Sequence, residues 1–168
     1  MQITRASDYA IRVMIHLAGL PRGSKVQQAE LSKATEVSGH FLSKVLQQLV
    51  RSQFIRSQRG AGGGFALAVP AERVSLLDVV EAIEGPLHLN LCLEEGPSCC
   101  RKSWCPAHKV WADAQEAVVE VLGRASIASV AASGGPAKAS YARHTNSVQI
   151  GNVRKAEGTK RLRRSHGP

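Results

Sequence analysis

The 168-residue chain has no run approaching the roughly 20 consecutive apolar residues that a membrane-spanning helix needs. Even its opening stretch, residues 1–20, is interrupted by Arg5, Asp8, Arg12 and His16, which argues against a leader peptide. The expectation is a soluble, unprocessed cytoplasmic protein with no membrane partner. Catalytic constellations are missing as well. No paired nucleophile and base, no Ser/His/Asp set with supporting context and no nucleotide fingerprint is present, which argues against an enzyme. Cysteine is limited to four residues, none in the Cys-x-x-Cys pairing most often seen at zinc sites. The length suits one domain with a single core and leaves no room for a second.

What is present is charge, unevenly placed. Residues 1–70 hold nine Lys and Arg against three Asp and Glu, residues 71–132 five against nine, and residues 133–168 eight against one. Two basic blocks therefore flank an acidic one within a net charge of +9. Clustered positive charge suits a polyanion, because neutralising phosphates releases counterions whatever the base sequence.

Hydrophobic periodicity gives a mainly α fold with a small β-hairpin. Ala10, Val13, Met14, Leu17 and Ala18 repeat at helical spacing, and the helix they define ends near Pro21-Arg22-Gly23. A short helix follows over about Gln27–Thr35, with Ala29, Leu31 and Ala34 available for burial. Ser38-Gly39 breaks the pattern, and Leu42, Val45, Leu46, Leu49 and Val50 restart it. Two helices joined by about four residues containing Gly make a helix-turn-helix. Phe54–Ser57 and Phe65–Ala68 then read as strands around the glycine-rich tip Gln58–Gly64. The tip is not a nucleotide loop, since no Lys-Ser/Thr follows and no helix begins there. With Arg56 and Arg59 beside glycines such as Gly60 that allow close backbone approach, it reads as a DNA-contacting wing.

Ser75 and Asp78 mark another helix start, continued by Val79, Val80 and Ile83 to Gly85-Pro86. Residues 86–104 show no periodicity, which in a compact domain points to a functional or disordered segment. A long helix follows over about 106–123, with Val110, Ala114, Ala117, Val118, Val121 and Leu122 on one side. That face suits a two-fold dimer interface or packing inside the monomer. The expected organisation is a regulator domain over 1–132, with its DNA-binding part at 1–70 and a cysteine loop and dimerisation helix at 71–132. A basic tail over 133–168 is expected to be disordered.

Cys92, Cys99, Cys100 and Cys105 lie within fourteen residues, with His108 three positions further on. A reducing cytoplasm disfavours a disulfide framework, whereas thiolates this close in sequence suit a soft metal centre, either an iron-sulfur cluster or zinc. Adjacent Cys99 and Cys100 point in different directions, so one of the two ligates and the other is spare. His108, one helical turn beyond Cys105, is either a ligand or a solvent-facing helix histidine.

Three stretches in order, Thr4–Ala10, Arg59–Phe65 and the cysteine loop ending in Cys105-Pro106-Ala107-His108, resemble the IscR/NsrR group of regulators, the Rrf-two family. The resemblance covers about residues 1–132. It implies a homodimeric winged helix-turn-helix protein that binds palindromic promoter DNA and holds an iron-sulfur cluster on three cysteines per subunit. Cys99 to Cys105 matches the family's second spacing, while Cys92 to Cys99 is one residue longer than its first, so Cys100 stays open as the alternative to Cys99. In one branch of the family a histidine at the position of His108 completes a [2Fe-2S] cluster. In another, an aspartate at the position of Asp8, given by the other subunit, completes a [4Fe-4S] cluster. Both residues are present here.

The sequence thus reads as a transcription regulator, expected to be a repressor, that senses iron-sulfur status, redox or nitric oxide. Ser38, His40, Phe41 and Lys44 stand where a recognition helix enters the major groove, and Arg56, Arg59 and Gly60 belong to the wing. The alternatives are a zinc-bound or thiol-switched regulator of the same fold, and an iron-sulfur carrier that docks on a protein.

Overall fold

Thr4 fixes where the first helix begins: its hydroxyl accepts the Ala6 N–H, and α1 runs over Arg5–Ala18 until Gly19 returns its N–H to the Ile15 and Leu17 carbonyls. In the computed structural model the described residues are 3–94, 96 and 99–134. Residues 137–168, most of the expected basic tail, lie outside them. The face of α1 expected from periodicity is the buried one, with Ala10, Val13 and Met14 fully enclosed and Leu17 nearly so. Helices α2, α3, α4 and α6 all pack against it.

The helix-turn-helix is formed by α2 (Gln28–Thr35) and α3 (Gly39–Arg51). Its turn is built differently from the expectation. Gly39 is the first helical residue of α3, and the left-handed position is Glu36, with φ of 57°. Val37 is buried beneath the turn, and its N–H and C=O are both bonded to Ser32, the hydroxyl donating to the carbonyl at 2.6 Å. The buried face of α2 also differs. Leu31 is the only large apolar side chain of that helix, so the core takes Leu31 and, one turn on, Thr35, whose hydroxyl is satisfied by the Leu31 carbonyl at 2.6 Å. Ala29 and Ala34 fall off that face and are exposed. In α3 the expected stripe holds: Leu42, Val45, Leu46 and Leu49 are buried, and Val50 is partly so.

Strands β1 (Ile55–Gln58) and β2 (Gly64–Leu67) pair antiparallel with Ile55 opposite Leu67 and Gln58 opposite Gly64. Sequence periodicity gave no sign of a third partner, Val26, which exchanges two 2.9 Å backbone hydrogen bonds with Phe65 and covers the outer edge of β2. A single residue carries no alternation to read. This approach demands glycine next door. Gly64 has φ of 154°, and a Cβ there would lie 2.6 Å from the Val26 carbonyl oxygen.

A short 3-10 turn (Ala71–Arg73) leads into α4 (Leu76–Glu84). Ser75 and Asp78 cap α4 reciprocally, the Ser75 N–H donating to the Asp78 carboxylate at 2.7 Å and the Asp78 N–H to the Ser75 hydroxyl at 3.1 Å. The long helix α5 occupies Pro106–Arg124, close to its expected bounds, and none of its residues is buried. A last helix, α6 (Ile127–Ser133), was not expected and carries the fold just past residue 132. Its only large apolar side chains are Ile127 and Val130, too few to make a periodic signal, although Ser126 supplies an N-cap. Ile127 is fully buried, and backbone bonds from Leu76 to Ala125 at 2.9 Å and from Ile127 to Val74 at 2.8 Å tie the start of α6 to the start of α4. Among the described residues no helix is long and apolar enough to cross a membrane.

Glu84, the last residue of α4, joins the two halves of the fold. Its carboxylate accepts from the Thr4 N–H, the Thr4 hydroxyl and, at 2.6 Å, the hydroxyl of buried Ser7. Partial burial pushes this carboxyl up, but the hydrogen bonds from Ser7 and Thr4 outweigh it and hold the group below the usual glutamate range. A lowered native value contributes stability that is complete above the ordinary glutamate range and is lost as pH falls through the native one. In acid titrations followed by circular dichroism, Glu84→Gln should therefore be less stable than wild type at neutral pH, with the gap closing as pH falls below the ordinary glutamate range. Gly64→Ala should lower stability by about 1–3 kcal/mol in thermal unfolding. Gly60→Ala, which also has positive φ but faces open space, should cost only about 1 kcal/mol.

Candidate nucleic-acid interface and cysteine loop

Helix α3 presents its N-terminal half to solvent. Ser38 precedes it without forming a side-chain cap bond, and Ser38, His40, Phe41 and Lys44 are all exposed. Phe41 is shared with α1: its ring meets Tyr9 edge-on, with centroids 5.5 Å apart at 88°. Arg12 stacks over Tyr9 at 5.8 Å and pairs with Asp8 at 2.8 Å, so the first turns of α1 lie directly behind the start of α3. A residue that the sequence did not single out fixes this start. The Gln28 amide donates to the Gly39 carbonyl at 2.9 Å and to the Ser43 hydroxyl at 2.7 Å, bracing α3 from α2.

The wing projects Arg59 and Gly60 into solvent, Gly60 in the left-handed region with φ of 97°. Arg56 behaves differently: its guanidinium donates to the Leu67 carbonyl at 3.0 Å, across the hairpin. Between α3 and the wing lies a cleft of about 470 Å³. Its polar lining includes Gln47 and Arg51, which sequence reasoning passed over. The signal for them was the ridge Ser43, Gln47, Arg51 at spacing i, i+4, i+8, opposite the apolar stripe. From residue 37 to residue 71 the chain carries Lys44, Arg51, Arg56 and Arg59 and no acidic residue. Every charged side chain that α3 and the hairpin contribute is therefore basic.

The cysteine loop is anchored from outside. The Leu87 N–H donates to the Glu81 carboxylate at 3.3 Å, and the Leu89 N–H to the Gln115 side chain at 3.0 Å, holding the segment to α4 and α5. Cys92 sits in a short 3-10 turn (Leu91–Leu93) packed on α5. Cys99 begins the turns that lead to α5, and Cys105 is the residue before that helix, its N–H on the Arg101 carbonyl at 2.9 Å. All four thiols are free; Cys100 is exposed, the others partly so. His108 is in the first turn of α5, its N–H on the Cys105 carbonyl at 3.1 Å. Its Nδ1 is buried without a hydrogen-bond partner, as is that of His88, a residue the sequence gave no reason to single out. Among the described residues of one chain, no three Cys, His, Asp or Glu side chains come together as a metal site. Free thiols, with a buried imidazole nitrogen lacking a partner three residues after Cys105, are the donor types that a soft metal or an iron-sulfur group takes.

Similar architectures recur among solved structures. The Bacillus subtilis global cysteine regulator CymR is 24% identical, with 80% of this chain and 99% of that one covered at a TM-score of 0.64. The oxidized form of Staphylococcus aureus CymR is 28% identical, with 78% and 96% covered and a TM-score of 0.61. IscR from T. potens, at 20% identity, covers 79% and 88% with a TM-score of 0.64. Residues 3–133, which take in the helix-turn-helix, the wing, the cysteine loop and α5, match the Rrf2 family, described as an iron-dependent transcriptional regulator. The chain belongs to the Rrf2 family of transcriptional regulators.

Proposed function

We propose that this regulator is a cytoplasmic homodimer that binds double-stranded promoter DNA as a repressor and senses iron-sulfur status, redox or nitric oxide through an iron-sulfur cluster. The observation that carries the sensing part is that Cys92, Cys99, Cys100 and Cys105 are all free thiols within fourteen residues and that the Nδ1 of His108, three residues on, is buried without a partner. Cys92, Cys105 and either Cys99 or Cys100 would hold the cluster. His108 as the fourth ligand corresponds to [2Fe-2S], and Asp8 of a second subunit to [4Fe-4S]. The cluster would supply a centre reactive towards oxidants and nitric oxide.

The chain's own residues connect this loop to the DNA surface. Glu84, at the root of the loop, grips Thr4 and Ser7 at the start of α1. One residue beyond Ser7 is Asp8, and beside it Tyr9 packs on Phe41 of the recognition helix. Ser38, His40, Phe41 and Lys44 would face the major groove, with Arg56, Arg59 and Gly60 of the wing at the neighbouring minor groove or backbone. A helix of 19 residues with none buried, and with Val110, Trp111 and Val121 at 66%, 42% and 62% exposure, supports α5 as the dimer contact.

Exposed Cys100 favours a second reading, a thiol switch without a cluster, and the likeness to the oxidized form of S. aureus CymR supports it. The visible spectrum of protein purified without oxygen, with iron and sulfide assayed on the same sample, separates the two. A brown protein with near-stoichiometric sulfide is expected, losing its colour in Cys105→Ala, with the iron-to-protein ratio deciding between His108 and Asp8. A protein that stays colourless after anaerobic reconstitution would overturn the cluster and leave the thiol switch. For the dimer, Trp111→Glu should raise the dissociation constant at least about tenfold in sedimentation experiments, as expected for losing an aromatic anchor.

A further inference from the structure

Eight of the chain's 22 Lys and Arg lie beyond residue 136, against one acidic residue, Glu157. Six of them, Arg154, Lys155, Lys160, Arg161, Arg163 and Arg164, fall within eleven residues. The Rrf2 match ends at residue 133, so this charge is an addition to the family's fold. The folded domain hands the chain on to it at a defined place. Ala131 and Ala132, near the end of α6, line one cavity of about 550 Å³ together with Arg56 and Leu67 at the root of the hairpin. The chain therefore leaves the domain beside the root of the wing, whose tip carries Arg59.

The residue content of 137–168 separates the polyanions that such charge suits. A stable hold on a lipid surface takes a second signal beside the cations, an apolar face or an acyl chain, and Leu162 is the lone apolar side chain within 160–164. Single-stranded nucleic acid is held by stacking its bases on aromatic rings, and Tyr141 is the only aromatic residue of the segment. Duplex DNA needs neither, because neutralised phosphates release counterions whatever the base sequence. Distance is no obstacle. Strands of four residues put the wing tip about 13 Å from its root. The 26 residue steps from Gly134 to Lys160 exceed that even at the helical rise of about 1.5 Å per residue. We infer that residues 137–168 act as a second DNA-binding arm, independent of base sequence, in which Lys160, Arg161, Arg163 and Arg164 neutralise phosphates of the duplex that the wing approaches. This rests on the DNA-binding reading above and extends it to a segment that has no part in helix-turn-helix recognition.

The test uses the full chain with Lys160→Gln, Arg161→Gln, Arg163→Gln and Arg164→Gln combined. Binding is followed by fluorescence anisotropy across a salt series, on a random-sequence duplex and on a duplex selected by wild-type protein from a random pool. Each phosphate contact contributes about 0.9 to the slope of log affinity against log salt, so the combined variant should lose about 3 to 4 per subunit, equally on both duplexes. Arg161→Lys, Arg163→Lys and Arg164→Lys together keep the charge and should keep the wild-type slope. An unchanged slope in the glutamine variant would overturn the arm, while DNA binding by the folded domain stands. A loss confined to the selected duplex would overturn it too, as would tighter binding by the variant, the mark of a segment that competes with DNA. So would an equal loss per charge in Arg124→Gln, in the last turn of α5, or a larger change of slope on single-stranded RNA than on either duplex. Wild-type protein without salt-dependent binding to either duplex would overturn both the arm and the DNA-binding reading.

Discussion

The burial of one face of α1 is the constraint on which the rest of the molecule depends. Ala10, Val13, Met14 and Leu17 are removed from water by helices drawn from both halves of the chain, with α2 and α3 before the hairpin and α4 and α6 after it. At about 1.5–3 kcal/mol for each large side chain, this shared wall makes separate folding of the two halves unfavourable. It also leaves little freedom to slide, because interiors packed at crystal density respond to a shift by moving as blocks. The one polar group drawn into the N-terminal end of this wall, the Ser7 hydroxyl, is matched by Glu84, so the position of α1 is tied to the residue from which the cysteine loop departs.

Where apolar side chains recur at helical spacing, sequence and structure agree. The buried stripes of α1 and α3, the capped start of α4 and the bounds of α5 were all legible, because each rests on local rules of periodicity and capping. The differences arise where a neighbour decides. Ala29 and Ala34 have no preference strong enough to orient α2, so Leu31 does it. Val26 becomes a strand only because Phe65 is presented to it. For α6 the chain offers small side chains whose burial is set by α1, and a single Ile127 is no pattern. Glu36, with its left-handed backbone, shows the same thing at a turn: the fit of Val37 beneath it holds the chain there, although nothing in the residue favours it.

The candidate site was legible in chemistry more than in geometry. Residue type and spacing are enough to single out four cysteines and a histidine, or arginines beside a glycine-rich tip. They do not show that Arg56 turns back onto its own hairpin while Arg51 and Arg59 line one cleft. Such pairings depend on the angle between a helix and a hairpin, which is set by the shared core residues Leu46, Leu49 and Ile55. Nor does spacing reveal the two side-chain acceptors, Glu81 and Gln115, that hold the loop to α4 and α5.

The contrast between the two functional regions follows from how they are held. The exposed face of α3 is rooted in a continuous core, with Leu42, Val45, Leu46 and Leu49 beneath it. From residue 85 to residue 104, Leu87 is the only buried residue among those described. Of that stretch's described residues, Leu87 and Leu89 are held by hydrogen bonds to the Glu81 and Gln115 side chains, and segments with few buried apolar contacts are the ones whose opening costs least. A ligand or a thiol modification shifts an equilibrium only by its difference in affinity for two arrangements, and a loop with little core of its own is where a modest difference suffices. Under the proposed function, a change there would reach α3 through contacts that already exist: Glu84 grips Thr4 and Ser7, and two residues further along α1 Tyr9 lies against Phe41. The weakly held segment and the strongly held one are thus joined through α1, the helix that can move least on its own.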